Sequence, residues 1–138
     1  MTDYLVDNSA WSRYIQAMPH VVARLDRIAL SPADLFVTCP PQVLELCHSA
    51  RNLAEHRRAQ QAIAYGFPLP NHPDKTTVLA IQQALWAAGK VRAAGPLDIL
   101  IAAYAVLNDA VVISCDRDFC HLARAYPALR QEYLPPVS

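Results

Sequence analysis

The sequence predicts a three-layer α/β/α fold with a central, mostly parallel sheet. Two observations carry that expectation. Short apolar runs, read as strands, alternate with longer segments of helical periodicity, the order that builds parallel strands joined by crossover helices. One run, Val111-Val112-Ile113-Ser114, is continuous and β-branched rather than alternating, as in a strand covered on both faces. A coarser third observation agrees. Of 138 residues, 54% are hydrophobic and 17% charged, against a usual charged share of about a quarter, so most of the chain is core. The length suits one domain over 1–138, burying about two-thirds of its unfolded surface.

Tyr4 to Val6 reads as a short buried strand. Asn8 to Ala17 follows as a helix with Ala10, Trp11, Tyr14 and Ile15 on one stripe, interrupted at Pro19. His20 to Leu30 resumes helical spacing through Val21, Val22, Leu25, Ile28 and Ala29, and Ser31-Pro32 ends it. Leu35 to Val37 is the second strand. Pro40-Pro41 marks a helix start, where the missing N–H of proline costs nothing. Gln42 to Tyr65 then reads as one long helix, apolar at Val43, Leu46, Cys47, Ala50, Leu53 and Ala54. The stretch 66–73 can hold an extended segment but is too proline-rich for a central strand. Thr76 to Ala88 is helical, and Ala94-Gly95-Pro96 is a turn. Leu97 to Leu107 is apolar on every side and is placed as a buried central helix. Val111 to Ser114 is the third firm strand, Arg117 to Tyr126 a short helix, and Glu132-Tyr133-Leu134 a final strand.

Composition excludes several classes of function. Net charge is zero and the pI is near 6.9, so bulk charge does not mark a nucleic-acid binder. Ten of the twelve cations are arginine, however, and acids engaged by a metal would leave the remaining surface more basic than the count. The N-terminus lacks a secretory signal and no apolar run reaches about 18 residues, so a cytoplasmic protein without a membrane span is expected. Cys39, Cys47, Cys115 and Cys120 form no C-x-x-C pair and are read as buried, reduced thiols. There is no H-E-x-x-H, no Ser-His-Asp pattern and no phosphate-binding loop, and three glycines cannot build a glycine cradle.

Four acids remain: Asp7, Glu45, Asp98 and Asp116. Asp7 follows the first strand, Asp98 follows the Gly95-Pro96 turn, and Asp116 follows the last firm strand. In a parallel sheet the carboxyl ends of the strands converge on one crevice. Carboxylates gathered there repel, and their ionisation is tolerable around a hard cation such as Mg²⁺ or Mn²⁺. Each Asp has a bland alternative as a helix cap or first-turn acid. Glu45 does not, because it lies inside a helix between Leu44 and Leu46, although a solvent-facing edge position would accommodate it. Asp7, Asp98 and Asp116 are the expected direct ligands, with Glu45 completing the shell or orienting water. Asp118, two residues beyond Asp116, is a further candidate. Ser9 and Ser114 are expected to orient a carboxylate or a water on the cation, or simply to cap turns. Arg51, Arg57, Arg58 and Arg117 are candidate contacts to an RNA backbone.

At these residues the chain resembles the PIN domains, and within them the VapC-type toxins of bacterial toxin–antitoxin pairs. The resemblance rests on Tyr4-Leu5-Val6-Asp7-Asn8-Ser9-Ala10-Trp11, on Glu45, on Pro96-Leu97-Asp98-Ile99-Leu100-Ile101-Ala102-Ala103-Tyr104-Ala105, and on Val112-Ile113-Ser114-Cys115-Asp116-Arg117-Asp118-Phe119. Asn8 and Ser114 depart from the commonest pattern without removing a carboxylate. The resemblance implies a compact α/β/α ribonuclease that uses Mg²⁺ or Mn²⁺, a homodimer, and a small antitoxin that blocks the site. A non-catalytic PIN-like module that binds RNA or protein is the alternative, and loss of one acid would be its signature. Phosphatases with an Asp-x-Asp pair fit poorly, because only about twenty residues follow Asp118 and none is lysine.

Overall fold

The computed structural model describes residues 1–136. Five strands form one parallel sheet: β1 (Thr2–Val6), β2 (Asp34–Thr38), β3 (Phe67–Pro68), β4 (Val111–Ser114) and β5 (Arg130–Tyr133), in the order β3-β2-β1-β4-β5. The chain builds outward from β1 on one side and then crosses to the other. The switch point therefore falls between β1 and β4, where an open α/β sheet places its crevice.

Alternation along the strands makes the three layers. Leu5, Val37 and Val112 point to one face and pack with α5 (Lys75–Ala87), α6 (Pro96–Leu107) and α7 (Asp118–Ala125). Tyr4, Val6, Phe36 and Ile113 point to the other, against α1 (Asn8–Ile15) and α2 (Pro19–Leu30). Both faces are apolar because both are covered. The α6 helix is buried from Ile101 to Ala105, while its ends at Leu97 and Leu107 reach solvent.

The expected helix from Gln42 to Tyr65 is two helices, α3 (Pro40–His48) and α4 (Leu53–Ile63). The break has a local cause. Asn52 caps α4 by accepting from the Glu55 amide at 2.9 Å, and the Glu55 carboxylate reaches back to the Arg51 amide at 2.8 Å. Ser49 Oγ donates to the Leu46 carbonyl at 2.9 Å and closes α3. Helical periodicity survives such a break, so periodicity alone hides it. Pro19 does not interrupt a helix but opens α2 at its first position. The segment at 66–73 does contain a strand, two residues long and at the sheet edge, where Pro68 is tolerated. The last strand begins at Arg130, two residues before the expected start. Cys39, Cys47 and Cys115 are buried free thiols, whereas Cys120 is only half-buried. No helix among the described residues is long and apolar enough to cross a membrane.

Candidate metal centre

Each acid is delivered by its backbone. β1 ends at Val6, and the Asp7 amide still donates to the Ile113 carbonyl at 2.8 Å, so Asp7 sits at the carboxyl end of the two central strands. It is also the N-cap of α1: its Oδ2 accepts from the Ser9 amide at 3.1 Å and from Ser9 Oγ at 2.7 Å. Asp98 occupies the first turn of α6, behind Pro96. Glu45 lies on α3, one turn beyond Gln42.

One carboxylate oxygen from each of Asp7, Glu45 and Asp98 lies within 4.8 Å of the other two. Oxygens bound to a single Mg²⁺ at about 2.0–2.1 Å stand at most about 4.2 Å apart. The three oxygens are thus near enough that small side-chain adjustments would bring them onto one cation. A second observation agrees with that fit. Asp7 is 2% exposed, and its Oδ1 is buried without any hydrogen-bond partner. A bare buried carboxylate oxygen is costly, and a hard cation would satisfy it.

The electrostatics follow from this crowding. Burial raises the pKa of Asp7 above the ordinary aspartate value, against the two Ser9 hydrogen bonds, and the neighbouring Asp116 raises it further. Burial likewise raises Glu45, with Asp7, Asp116 and Asp118 adding to the effect. Asp98 is pushed up to about 8 by burial, by a hydrogen bond with Asp118, and by the charges of Asp7, Asp118 and Glu45. Five acids thus feel one another, although only three bring atoms to a common point.

Asp116 lies beside the cluster. Its Oδ1 accepts from the Asp118 amide at 3.0 Å and stands 3.2 Å from Ser114 Oγ. Ser9 and Ser114 are in the network as orienting groups. Ser9 Oγ accepts from the Cys115 amide at 2.9 Å and lies 3.3 Å from Ser114 Oγ, so a chain of hydroxyls joins Asp7 to Asp116 across the switch point.

Sequence reasoning missed Gln42. It is 3% exposed, and both ends of its amide are occupied: Nε2 donates to the Val6 carbonyl at 2.6 Å, and Oε1 accepts from the Cys39 amide at 3.3 Å. This side chain ties α3, which carries Glu45, to the residue before Asp7. Nothing in the local sequence marks it, because a glutamine in a first helical turn is ordinary. Of the arginines, Arg51 is paired with Glu55 at 2.8 Å, while Arg57 and Arg58 are exposed on α4. Arg117 lies over the Tyr133 ring, 5.9 Å from its centroid.

The family model of the PIN domain matches residues 4–125. No curated protein matches the chain. Among solved structures, the chain is similar to VapBC2 from Rickettsia felis bound to a DNA fragment of its promoter. That match has 12% identity and a TM-score of 0.73, covering 96% of this chain and 99% of that one. It is similar to DNA-bound VapBC from Salmonella typhimurium, with 21% identity, 96% and 98% coverage, and a TM-score of 0.73. It is also similar to VapBC-5, a toxin–antitoxin system from Mycobacterium tuberculosis, with 22% identity, 98% and 99% coverage, and a TM-score of 0.63.

Proposed function

The chain belongs to the PIN-domain family, and on that premise we propose that it is a metal-dependent ribonuclease, the toxin of a toxin–antitoxin pair. The observation that carries the reading is the meeting of Asp7, Glu45 and Asp98, from three separate elements, at the carboxyl end of the central strands. Similarity in fold to structures of VapBC toxin–antitoxin systems supports the toxin assignment.

A bound Mg²⁺ or Mn²⁺ supplies an activated water and offsets the charge that develops on phosphorus. Asp7, Glu45 and Asp98 would hold the ion. Ser9 fixes the Asp7 carboxylate through two hydrogen bonds, which leaves the other oxygen for the metal. Asp116, oriented by Ser114 and the Asp118 amide, and Asp118, whose carboxyl group acts on Asp98 and Glu45, complete the acidic wall. They are placed to bind water or a further ligand of the cation. Water attack on the phosphodiester leaves a 5′-phosphate and a 3′-hydroxyl.

Two partners beyond RNA are part of the proposal: a small cognate antitoxin that occludes the crevice, and a second copy of the chain. Association is supported by large apolar side chains left in solvent, among them Ile15, Leu44, Leu53 and Trp86. The helix α4 has no buried residue, so its apolar positions do not belong to the core.

The test is cleavage of total RNA by the purified protein in Mn²⁺, with EDTA and Asp98→Asn as controls. Cleavage that needs the ion and Asp98, with 5′-phosphate ends, supports the reading. RNA binding without cleavage would return the chain to a non-catalytic module. Cyclic-phosphate ends would overturn the mechanism.

A further inference from the structure

Arg117, at the N-cap of α7, and His121 and Arg124 within it recur at helical spacing of four and three residues. With Cys120 and Tyr133 they line a cavity of about 300 Å³. No acid lines it. Asp116 and Asp118, on either side of Arg117 in sequence, turn their charges to the acid cluster, where they act on Asp7, Glu45 and Asp98. Glu132, beside Tyr133, is held by Arg24 at 2.6 and 3.0 Å. Among the described residues Arg117 and Arg124 take part in no ion pair. Both are exposed, and His121 Nδ1 is buried without a hydrogen-bond partner. The cavity is therefore lined by two exposed guanidinium groups and a histidine, with no ion pair to Arg117 or Arg124 among the described residues.

Its position relates it to the acids. Tyr133 pairs with Ser114 in the β4–β5 ladder, and Arg117 stands between Asp116 and Asp118. The cavity thus lies at the same carboxyl end of the sheet as the acid crevice, displaced towards the β5 edge. We infer that Arg117, His121 and Arg124 bind a backbone phosphate of the RNA, at least one nucleotide from the bond that is cut. This rests on the ribonuclease reading for the identity of the polymer. The two non-bridging oxygens of a phosphate accept bidentately from a guanidinium fork, and the His121 ring lines the same cavity.

The test uses the full chain carrying Asp98→Asn and a fluorescent single-stranded oligoribonucleotide, with affinity followed by anisotropy across a KCl series. Arg117→Ala and Arg124→Ala are each expected to weaken binding several-fold and to flatten the slope of log K against log[salt] by about 0.7, the value for one phosphate contact on a single strand. Both arginines are exposed, so the fold is retained, and Arg27→Ala on α2 serves as the control that leaves affinity and slope unchanged. Oligonucleotides with a single uncharged methylphosphonate should show one sensitive position, and that sensitivity should disappear in Arg124→Ala. Affinity and slope unchanged in both arginine variants would overturn the inference. So would normal RNA binding coupled with lost binding of an acidic peptide, which would assign the cavity to a protein partner. Inorganic phosphate competing as well as the oligonucleotide would reduce it to a small-anion site. If the parent chain fails to cut RNA but shows these arginine effects, the ribonuclease reading fails and the phosphate site stands. If it cuts RNA and the variants are indifferent, the reverse holds.

Discussion

Asp98 shows what the site costs the protein that carries it. Its carboxyl group is pushed up to about 8 in the folded chain, because burial and three neighbouring acids oppose its charge. An acid raised on folding stabilises the protein while it is protonated, and that contribution is lost as pH rises from the ordinary value near 4 through the folded value. The metal-free protein is thus expected to lose thermal stability between about pH 4 and pH 8. Added Mn²⁺ should raise Tm more at pH 8 than at pH 5.5, where protons already occupy the acids. Asp98→Asn should lose that Mn²⁺-dependent rise, match or exceed the metal-free Tm of the parent at pH 8, and lower RNA cleavage by about 100-fold or more. Scanning calorimetry at the two pH values checks all of this, and an equal response to Mn²⁺ in both proteins would contradict it. A second residue is independent of the site. Ala17 closes α1 with φ of 60°, its amide donating to the Tyr14 carbonyl and the Met18 amide to the Arg13 carbonyl. This terminus favours glycine: a Cβ in the left-handed region costs about 1–2 kcal/mol, partly offset by the greater chain entropy glycine loses on folding, so Ala17→Gly should give a net stabilisation that thermal melting can read.

Among the elements, α3 has the greatest bearing on the site, because it carries Glu45 and is set against β1 by one buried side chain. Gln42→Leu keeps most of the volume but leaves the Val6 carbonyl and the Cys39 amide without their partner. A cost of about 1–3 kcal/mol is expected for such buried groups. Metal affinity, read from the Mn²⁺ concentration at half-maximal cleavage, should weaken beyond what the stability loss explains. A variant such as Val43→Ala on the same helix, equally destabilised but with unchanged Mn²⁺ dependence, would separate positioning from stability. The α3–α4 break lies at the same scale. Asn52→Ala removes the cap of α4 and should cost about 1 kcal/mol, with cleavage unchanged at temperatures well below Tm.

At the scale of the whole molecule, the parallel order β3-β2-β1-β4-β5 decides which strand ends meet. Residues 105 positions apart, Ser9 and Ser114, share a hydrogen bond because β1 and β4 are neighbours at the switch point. Exposed apolar side chains occur on most of the helices, from Ile15 on α1 and Leu30 on α2 to Leu44 on α3, Leu53 on α4, Trp86 on α5 and Leu107 on α6. Light scattering at micromolar concentration is expected to give the mass of a dimer; a strict monomer would count against the second copy. Expression in a host that lacks the antitoxin is expected to arrest growth, and Asp98→Asn should relieve the arrest.

The order of elements was legible in the sequence because each strand and helix states its own period, and the family's motifs stood out because Asp7, Asp98 and Asp116 each follow a turn or strand end that local chemistry identifies. Those are short-range facts, carried by the spacing of a few residues. The helix break at Ser49–Asn52 was also written locally, in the Asn52 and Glu55 cap, but it was masked by an apolar stripe that continues in phase across it. Tertiary structure alone decided the rest. It brought Glu45 beside Asp7 and Asp98, and it set Ser9 against Ser114 across the switch point. It made Gln42 a buried tether and set Tyr133 of β5 against the basic face of α7 to close one cavity. The reason is physical. Burial, distance and the field of neighbouring charges depend on which strands pair and which helix faces pack, and no window of sequence contains both sides of those contacts.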